Sequence, residues 1–180
     1  MIVAIAGVPG TGKTTTAEEL SKRTGASVIK TTELVERDAV RYEMDELRGV
    51  KIVEPADLQR AVNQYVKYNS IIEGMLSHLL HSDAVIVLRC NPEELTKRLK
   101  GKGWKENKIR ENVEAEMIDT ITIESLQKHP KEKISEIDTS DKTPRAVAET
   151  IERILKGQDR EKHKAGSIDW TKKYIEYLVG

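Results

Sequence analysis

The sequence predicts an α/β protein in which a five-stranded parallel sheet lies between two layers of helices. Short apolar runs alternate along the chain with longer segments of helical periodicity, as in successive βαβ units. The runs contain few polar residues, which is typical of strands that are buried on both faces. The length of 180 residues is enough for one domain with a single substantial core.

The first predicted unit is a strand, a glycine-rich turn and a helix. Ile2–Ala6 is a continuous apolar run and therefore predicts a buried strand. The helix is predicted over Lys13–Thr24, and Gly25 can end it in the left-handed conformation that glycine adopts without strain. Ser27–Lys30 is the second predicted strand.

The polar stretch over residues 31–69 is predicted to be mainly helical. It is interrupted near residues 48–53. Pro55 then opens a helix, because proline is favoured in the first helical turn. The apolar face of this helix is formed by Leu58, Ala61, Val62 and Tyr65.

Three further strands complete the predicted sheet. They are Ser70–Glu73, Ala84–Arg89 and Ile134–Asp138. After the fourth strand, Asn91, Pro92 and Glu94 form a helix start with an N-cap, a first-turn proline and a capping-box glutamate. This helix is predicted to continue to Gly101.

Two more helices of the core are predicted beyond Gly101. After a flexible break at residues 101–104, apolar residues recur every four positions along one long helix: Ile109, Val113, Met117 and Ile121. Thr143 and Pro144 begin the last core helix, which Gly157 can end.

The chain is predicted to divide into a core, 1–157, and a C-terminal appendage, 158–180. Residues 158–166 are polar and predict a linker. A final amphipathic helix is indicated by Trp170, Tyr174, Tyr177 and Leu178. Its aromatic stripe either docks on the core or binds a partner.

Composition narrows the classes of function. Thirty basic residues balance thirty acidic ones, so no field of one sign indicates direct nucleic-acid binding or an anionic membrane. No apolar stretch approaches the roughly 20 residues that span a bilayer. The single cysteine, Cys90, excludes an internal disulfide and fits a reducing compartment. We therefore expect a cytoplasmic protein without a membrane association.

The strongest motif lies directly after the first strand. Residues 7–14 read GVPGTGKT and match the phosphate-loop pattern G-x-x-x-x-G-K-[ST] at every fixed position. The loop also precedes a helix, which is the structural context that the motif requires. Gly10 and Gly12 permit positive φ and let backbone N–H groups approach an anion closely. The alternative, an accidental glycine-rich turn, does not account for the full match.

Each polar residue of this loop has a predicted role toward ATP. Lys13 supplies a positive charge to the β and γ phosphates, and Thr14 offers a hydroxyl group to Mg²⁺. Thr15 is placed to hydrogen-bond the α phosphate. The loop thus predicts Mg·ATP binding, but it does not identify the reaction.

Other residues favour a small kinase over other nucleotide-binding proteins. The chain lacks the N-K-x-D element of guanine-specific switch proteins and is too short for a motor or transporter ATPase. Glu73 ends the third strand, where a carboxylate can hold Mg²⁺ or orient the nucleophile; alternatively, it only caps the following helix.

An acceptor site and a lid are predicted on either side of the nucleotide. Residues 31–53 occupy the position of an acceptor-binding insertion, in which Arg37 and Arg41 share a helical face suited to a phosphate group. The alternative is pairing with neighbouring glutamates on a solvated face. Residues 101–111 would form the lid, from which Lys102 closes over the transferring phosphates; the alternative is a plain exposed turn.

Several segments together resemble a known family. The loop GVPGTGKTT at residues 7–15, IEGMLSHLL at 72–80, ENVEAE at 111–116 and the tail motif IDW at 168–170 are similar to adenylate kinase isoenzyme six and its archaeal relatives. The resemblance covers the whole chain and is far more specific than the phosphate loop alone.

This resemblance implies a three-layer α/β/α P-loop nucleoside-monophosphate-kinase fold with NMP-binding and LID insertions. It implies phosphoryl transfer from ATP to a broad range of nucleoside monophosphates, AMP foremost, together with ATPase activity. It also implies a role in late maturation of the small ribosomal subunit through a ribosomal protein of the subunit platform. Two alternatives remain: an ATP-driven assembly factor with little kinase activity, and a kinase for a small metabolite.

The resemblance assigns residues and also reveals departures. Lys142 matches a family ATP contact in the last loop, beside the phosphate-loop residues already named. Glu73 and Met75 stand where many members carry an Asp-x-His pair tied to metal binding and ATP hydrolysis. Lys102 replaces an arginine of the lid and lacks its planar stacking surface. His78 falls in a predicted leucine-rich helix after the third strand and is interpreted as a packed or surface histidine rather than as a substitute for the missing imidazole.

Overall fold

A computed structural model describes residues 1–46, 50–172 and 174. The strands are β1 Ile2–Ala6, β2 Ser27–Lys30, β3 Glu43–Asp45, β4 Val50–Ile52, β5 Ser70–Glu73, β6 Ala84–Arg89 and β7 Ile134–Asp138. The helices are α1 Lys13–Thr24, α2 Thr31–Glu36, α3 Pro55–Asn63, α4 Pro92–Gly101, α5 Glu106–Met117, α6 Thr120–Lys128 and α7 Pro144–Leu155. No helix in the described ranges is both long and apolar enough to cross a membrane.

The main sheet has five parallel strands in the order β2-β5-β1-β6-β7. The five strands predicted from the apolar runs are confirmed with the same bounds. β1 is central, and its register pairs Ile5 with Glu73 on one side and Ala6 with Val87 on the other. The carboxyl ends of β1, β5 and β6 therefore lie side by side, which is where ligands bind in parallel α/β sheets.

The alternation along β1 shows why helices cover both faces of the sheet. Ala4 and Ala6 belong to an apolar cluster that includes α4 and α5, whereas Val3 and Ile5 belong to a cluster that includes α1 and α7. Successive strand side chains point to opposite faces, so every residue of this strand interior is buried. The predicted three-layer α/β/α fold is confirmed.

The predicted helical stretch after β2 is wrong in part. α2 ends at Glu36, and the chain then forms a two-stranded antiparallel hairpin in which Glu43 pairs with Ile52. Asp38 has a φ of 52°, a left-handed conformation that cannot continue a helix. Arg37 is the C-cap of α2 and Arg41 lies beyond it, so the prediction that they share a helical face is wrong. Part of the predicted insertion, residues 47–49, lies outside the described residues.

The predicted long helix after residue 104 is two helices. α5 ends at Met117 and α6 begins at Thr120, because Asp119 between them has a φ of 58°. The side chain of Asp119 accepts a hydrogen bond from the guanidinium of Arg89, which accounts for a break that the apolar periodicity does not reveal.

Two local predictions near β5 and α4 are also corrected. After β5 the chain forms only a 3₁₀ turn, Ser77–Leu79, instead of a leucine-rich helix. Asn91 caps α4 by accepting a hydrogen bond from Glu93 N at 2.9 Å. Glu94 does not complete a capping box: its carboxylate pairs with Arg98, and the Asn91 N–H donates to Ser140 Oγ.

The C-terminal segment lies against the sheet edge and α5. A 3₁₀ turn forms at Arg160–His163, and Lys164 makes an isolated bridge to Ser135 of β7. Trp170 and Tyr174 pack against the apolar cluster that includes α5. The predicted helix residues Tyr177 and Leu178 lie outside the described residues, and the division into core and appendage stays a prediction.

Candidate active site

The phosphate loop has the backbone geometry that its glycines predict. Gly10 and Gly12 have φ values of 95° and 92°, in the left-handed region. A Cβ at Gly10 would lie 2.7 Å from Leu95 Cδ1, so the loop and α4 can approach this closely only with glycine there. A Cβ at Gly7 would lie 2.5 Å from Leu88 O. The loop is therefore held tightly between β1, β6 and α4.

Lys13 is half-buried and carries the positive charge next to the phosphate loop. Its ammonium donates to Val8 O at 3.1 Å across the mouth of the loop. Burial lowers the pKa of Lys13 to about 8, and the neighbouring Glu73 carboxylate limits that fall. An ammonium with so little solvation is stabilised by an anion placed beside it.

Thr14 and Glu73 form a polar pair next to this lysine. Thr14 Oγ1 donates to Glu73 Oε1 at 3.2 Å, and Glu73 is 4% exposed. Burial raises the pKa of the Glu73 carboxyl group, while Lys13 opposes the rise. The alternative role of Glu73, a helix cap, is wrong, because only a 3₁₀ turn follows β5.

This pair fits a magnesium ion better than it fits a transition metal. Within the described residues there is no cluster of three or more His, Cys, Asp or Glu side chains that could hold a metal by itself. Magnesium binds proteins through one or two oxygen ligands and takes the rest from substrate phosphates and water. The Thr14 hydroxyl and the Glu73 carboxylate are ligands of that kind.

A cavity of about 790 Å³ opens over the phosphate loop. This volume is within the range of small-molecule sites. Its lining joins predicted residues from distant parts of the chain, namely Gly10, Gly12, Lys13, Thr14, Thr15, Glu73, Lys102 and Lys142. Thr32, Met75, Arg98, Trp104 and Thr139 also line it. The structure therefore brings the predicted ATP-binding residues together.

The two arginines predicted for the acceptor are not part of this lining. Arg37 is 76% exposed, and its guanidinium lies 3.5 Å from the Glu33 carboxylate. Arg41 is also exposed. From the segment that precedes them, Thr32 reaches the cavity. The pairing with a neighbouring glutamate, left open by the sequence, is thus present for Arg37.

Arg98 has a role that the sequence analysis did not assign. Its Nη2 donates to Thr139 O and Ser140 O, both at 2.8 Å, and Nη1 lies 3.5 Å from Gly10 O. Arg98 therefore connects α4, the loop after β7 and the phosphate loop. The only signal for it in the sequence is a basic residue one turn before the glycine-rich break.

The predicted lid and the last loop contribute lysines to the same cavity. Lys102 is the C-cap of α4 and is exposed. Lys142 Nζ donates to Asp138 O at 2.6 Å, so its ammonium is held near the mouth. Trp104 packs against the apolar cluster of α4 and α5 while it lines the cavity, and its backbone N–H donates to Leu99 O.

His78 is a packed histidine, as predicted, and is fully buried. Its Nε2 lies 2.8 Å from Glu124 Oε2 and its Nδ1 lies 2.9 Å from Met75 O. Burial lowers the pKa of His78, so the imidazole is held in its neutral form. It does not line the cavity and cannot replace an imidazole at position 75.

Comparisons with known proteins agree with this geometry. A protein-family model described as an AAA domain matches residues 3–119. A protein from Archaeoglobus fulgidus is 42% identical over 172 residues, which are 94% of this chain and 92% of that protein. A protein from Methanocaldococcus jannaschii is 38% identical over 99% of this chain and 98% of its own. Both carry the name "Putative adenylate kinase".

Solved structures show the same fold at lower sequence similarity. Shikimate kinase from Aquifex aeolicus superposes with a TM-score of 0.55 at 16% identity, over 87% of this chain and 97% of that one. Shikimate kinase from Acinetobacter baumannii, in complex with shikimate, has a TM-score of 0.56 at 17% identity, over 87% and 93% of the two chains. At such identity the likeness concerns the fold alone. The family model and the relatives at 42% and 38% identity show that the chain belongs to the AAA-domain family and to the archaeal adenylate-kinase-like family that its sequence resembles.

Proposed function

We propose that this protein is a broad-specificity nucleoside monophosphate kinase, which transfers the terminal phosphoryl group of Mg·ATP to AMP or another nucleoside monophosphate. The observation that carries the proposal is the buried ammonium of Lys13 beside the Thr14–Glu73 pair, in a cavity that also contains lid and last-loop lysines. The relatives named as adenylate kinases support the same reaction class.

The residues of the chain supply charge and position to this reaction. Backbone N–H groups of the phosphate loop and the Lys13 ammonium would bind the β and γ phosphates. Thr14 and Glu73 would hold Mg²⁺, which supplies positive charge to the phosphate oxygens when bound. Lys102 would close from the lid and exclude water. No protein nucleophile is required, because positioning and electrostatic stabilisation carry phosphoryl transfer.

The acceptor phosphate is assigned to Arg37 or Arg41. Because the Arg37–Glu33 pair is exposed, it contributes little to stability, and its guanidinium can exchange the carboxylate for a phosphate at little cost. A guanidinium also binds phosphate through two parallel hydrogen bonds. In this proposal the segment that begins at Thr32 moves toward the cavity when the acceptor binds.

An acceptor screen with Mg·ATP tests the proposal. AMP, CMP, UMP, GMP and small hydroxyl compounds, shikimate among them, are each incubated with the protein, and the phosphorylated acceptor is measured by chromatography. We expect AMP to be the best acceptor. Phosphorylation of a hydroxyl compound alone would indicate a metabolite kinase, and ADP formation that no acceptor increases would indicate a simple ATPase.

We also propose an accompanying ATPase activity and a role in late maturation of the small ribosomal subunit. The support is the family resemblance, together with a cavity that opens over the phosphate loop and would admit water while the lid is not closed. A pull-down with the platform ribosomal protein, with and without nucleotide, tests the partner. Capture that ATP does not alter would contradict an ATP-driven switch.

We propose a cytoplasmic location because the single cysteine is a free thiol. Cys90 is buried and free, and burial raises the pKa of its thiol to about 11. A thiol of this kind is unreactive and fits a reducing compartment.

A further inference from the structure

A buried ionic network lies at the end of β6, beside the phosphate loop. Arg89 is the last residue of that strand and is 2% exposed. Its Nε donates to Glu116 Oε1 at 2.7 Å and its Nη1 to Glu136 Oε1 at 2.6 Å. Nη2 donates to the Asp119 carboxylate. One guanidinium thus faces three carboxylates, and the network carries an excess of negative charge.

The C-terminal strap, residues 166–170, supplies further donors, in addition to Cys90 N on Glu116 Oε1 and Thr122 Oγ1 on Glu136 Oε1. The N–H groups of Gly166 and Ser167 donate to Glu136 Oε2 at 2.8 and 3.0 Å. The indole Nε1 of Trp170 donates to Glu116 Oε1 at 3.1 Å. Without the strap, two buried carboxylates would lose these donors, which is costly for a buried charge. The hydrogen-bond network around Glu116 and Glu136 is therefore complete only when the strap is docked.

The same network reaches the phosphate loop through one threonine. Arg89 O lies 2.9 Å from both the backbone N and the Oγ1 of Thr139. Thr139 Oγ1 also lies 3.0 Å from Thr11 O in the loop. Because Thr139 lines the nucleotide cavity, a continuous set of hydrogen bonds connects the strap with the site.

A second connection runs through the lid. Glu116 lies on α5, the helix that returns from the lid to the core. Trp104 of the lid and Trp170 of the strap pack against the same apolar cluster, and Trp104 lines the cavity. The Glu116 carboxylate is also close enough to favour the charged form of Lys13, although burial and Glu73 affect this lysine more strongly.

We propose that Trp170 is a positioning residue for phosphoryl transfer. Through Glu116 and Arg89 it fixes the end of β6 and the helix that returns from the lid, so strap docking and lid closure over nucleotide favour each other. Such coupling is reciprocal: a ligand that closes the lid tightens the strap by the same factor. The inference rests on the proposed kinase function.

Trp170→Phe tests the positioning role, because it keeps an aromatic ring and removes the indole N–H. We expect kcat for AMP phosphorylation to fall about 10-fold, the effect of one hydrogen bond to a buried charge. KM for ATP should rise as well, because the coupling between the strap and the nucleotide that closes the lid is reciprocal. Lys172→Ala is the matched control, because Lys172 is exposed and pairs with Asp169, three residues before it. A purely structural role would lower the melting temperature and leave kcat per folded molecule unchanged.

Fluorescence of the strap provides an independent measurement. The chain has two tryptophans, so in the Trp104→Phe variant the tryptophan fluorescence comes from Trp170. We expect Mg·ATP to shift its emission and reduce its quenching by acrylamide, although residue 170 does not line the cavity. If calorimetry shows bound ATP while Trp170 emission and the kcat of Trp170→Phe stay unchanged, the coupling is refuted. If Trp170 responds but AMP is not phosphorylated, the coupling stands and the proposed kinase function fails.

Discussion

Lys13 provides a positive charge at the position where the phosphates of ATP would bind. Its ammonium is buried beside Glu73, and its hydrogen bond to Val8 O holds it across the loop into which the phosphates of ATP would bind. Thr14 and Glu73 add a hydroxyl and a carboxylate that fit Mg²⁺.

Lys13→Ala should abolish phosphoryl transfer while the fold is kept. The loss removes the charge that stabilises the transferring phosphate, so we expect kcat to fall about 10²- to 10³-fold or more. A coupled ADP assay and circular dichroism measure the two effects. Lys22→Ala is the control, because Lys22 pairs with Glu19 on the exposed face of α1. Turnover like that of the unchanged protein would defeat the assignment.

ATP affinity should depend on pH through the same lysine. In the free protein the pKa of Lys13 is about 8, whereas bound phosphates would keep it charged. Above pH 8, binding must therefore take up a proton, and the affinity should fall about 10-fold per pH unit. Titration calorimetry in buffers of different ionisation enthalpy measures this uptake. Lys13→Met should give weaker binding without that pH dependence, and equal slopes for both proteins would exclude Lys13 as the group responsible.

The same lysine should also make the free energy of unfolding depend on pH, in the direction opposite to that of ATP affinity. The folded-state pKa of about 8 lies below the unfolded value of 10.5, so the unfolded chain holds the Lys13 proton over this window and the folded chain does not. The contribution of Lys13 to the free energy of unfolding should therefore rise from about pH 8 to about pH 10.5. Comparison of urea unfolding for the unchanged protein and Lys13→Met across this window measures it; a contribution that falls with pH would contradict the burial of this charge.

At the level of elements, the ends of β5 and α2 meet at Gly74. A Cβ there would lie 1.9 Å from Thr31 Oγ1, and the φ of Gly74 is 147°. Glu73 is the preceding residue, so its carboxylate depends on this close approach. The candidate metal ligand Glu73 is thus positioned by the close packing of β5 against α2, which requires that residue 74 has no side chain.

Gly74→Ala should destabilise the protein and impair the site. We expect a loss of about 2 kcal/mol or more in the free energy of unfolding, from the clash with Thr31 and the backbone strain. Transfer should also fall, because Glu73 is displaced. Urea unfolding and the coupled assay measure both. Gly101→Ala is the stability control, since the added Cβ meets nothing within 4 Å beyond its chain neighbours and the backbone of its own helix. An unchanged midpoint for Gly74→Ala would contradict the packing described here.

The elements also show how much of the fold local sequence patterns can predict. Four strands of the main sheet, β1, β5, β6 and β7, follow from the sequence because nearly all their residues are buried, and the phosphate loop follows from its own motif. The β3–β4 hairpin does not, because its strands are short and Glu43, Met44 and Ile52 are exposed, without a regular alternation. The break at Asp119 is hidden in a regular apolar repeat, and only the tertiary contact with Arg89 accounts for it. Likewise, Arg98 and Thr139 acquire their roles from contacts between distant segments.

For the molecule as a whole, the parallel sheet determines where the parts of the candidate site meet. The carboxyl ends of β1, β5, β6 and β7 bring the phosphate loop, Glu73, the network of Arg89 and the last loop to one edge. Trp104 of the predicted lid and Trp170 of the C-terminal strap pack on the same apolar cluster next to that edge. This arrangement gives a site with buried charge at its base and lysines at its mouth, which suits transfer between two anionic substrates.

The stoichiometry of the reaction tests the account most directly. Phosphorus NMR of Mg·ATP with AMP and the protein follows ATP, ADP and inorganic phosphate in one sample. Transfer converts one ATP and one AMP into two ADP, and no inorganic phosphate is released in that step. We predict ADP growth in this ratio, well ahead of phosphate. Equal amounts of ADP and inorganic phosphate, unaffected by AMP, would contradict the kinase assignment.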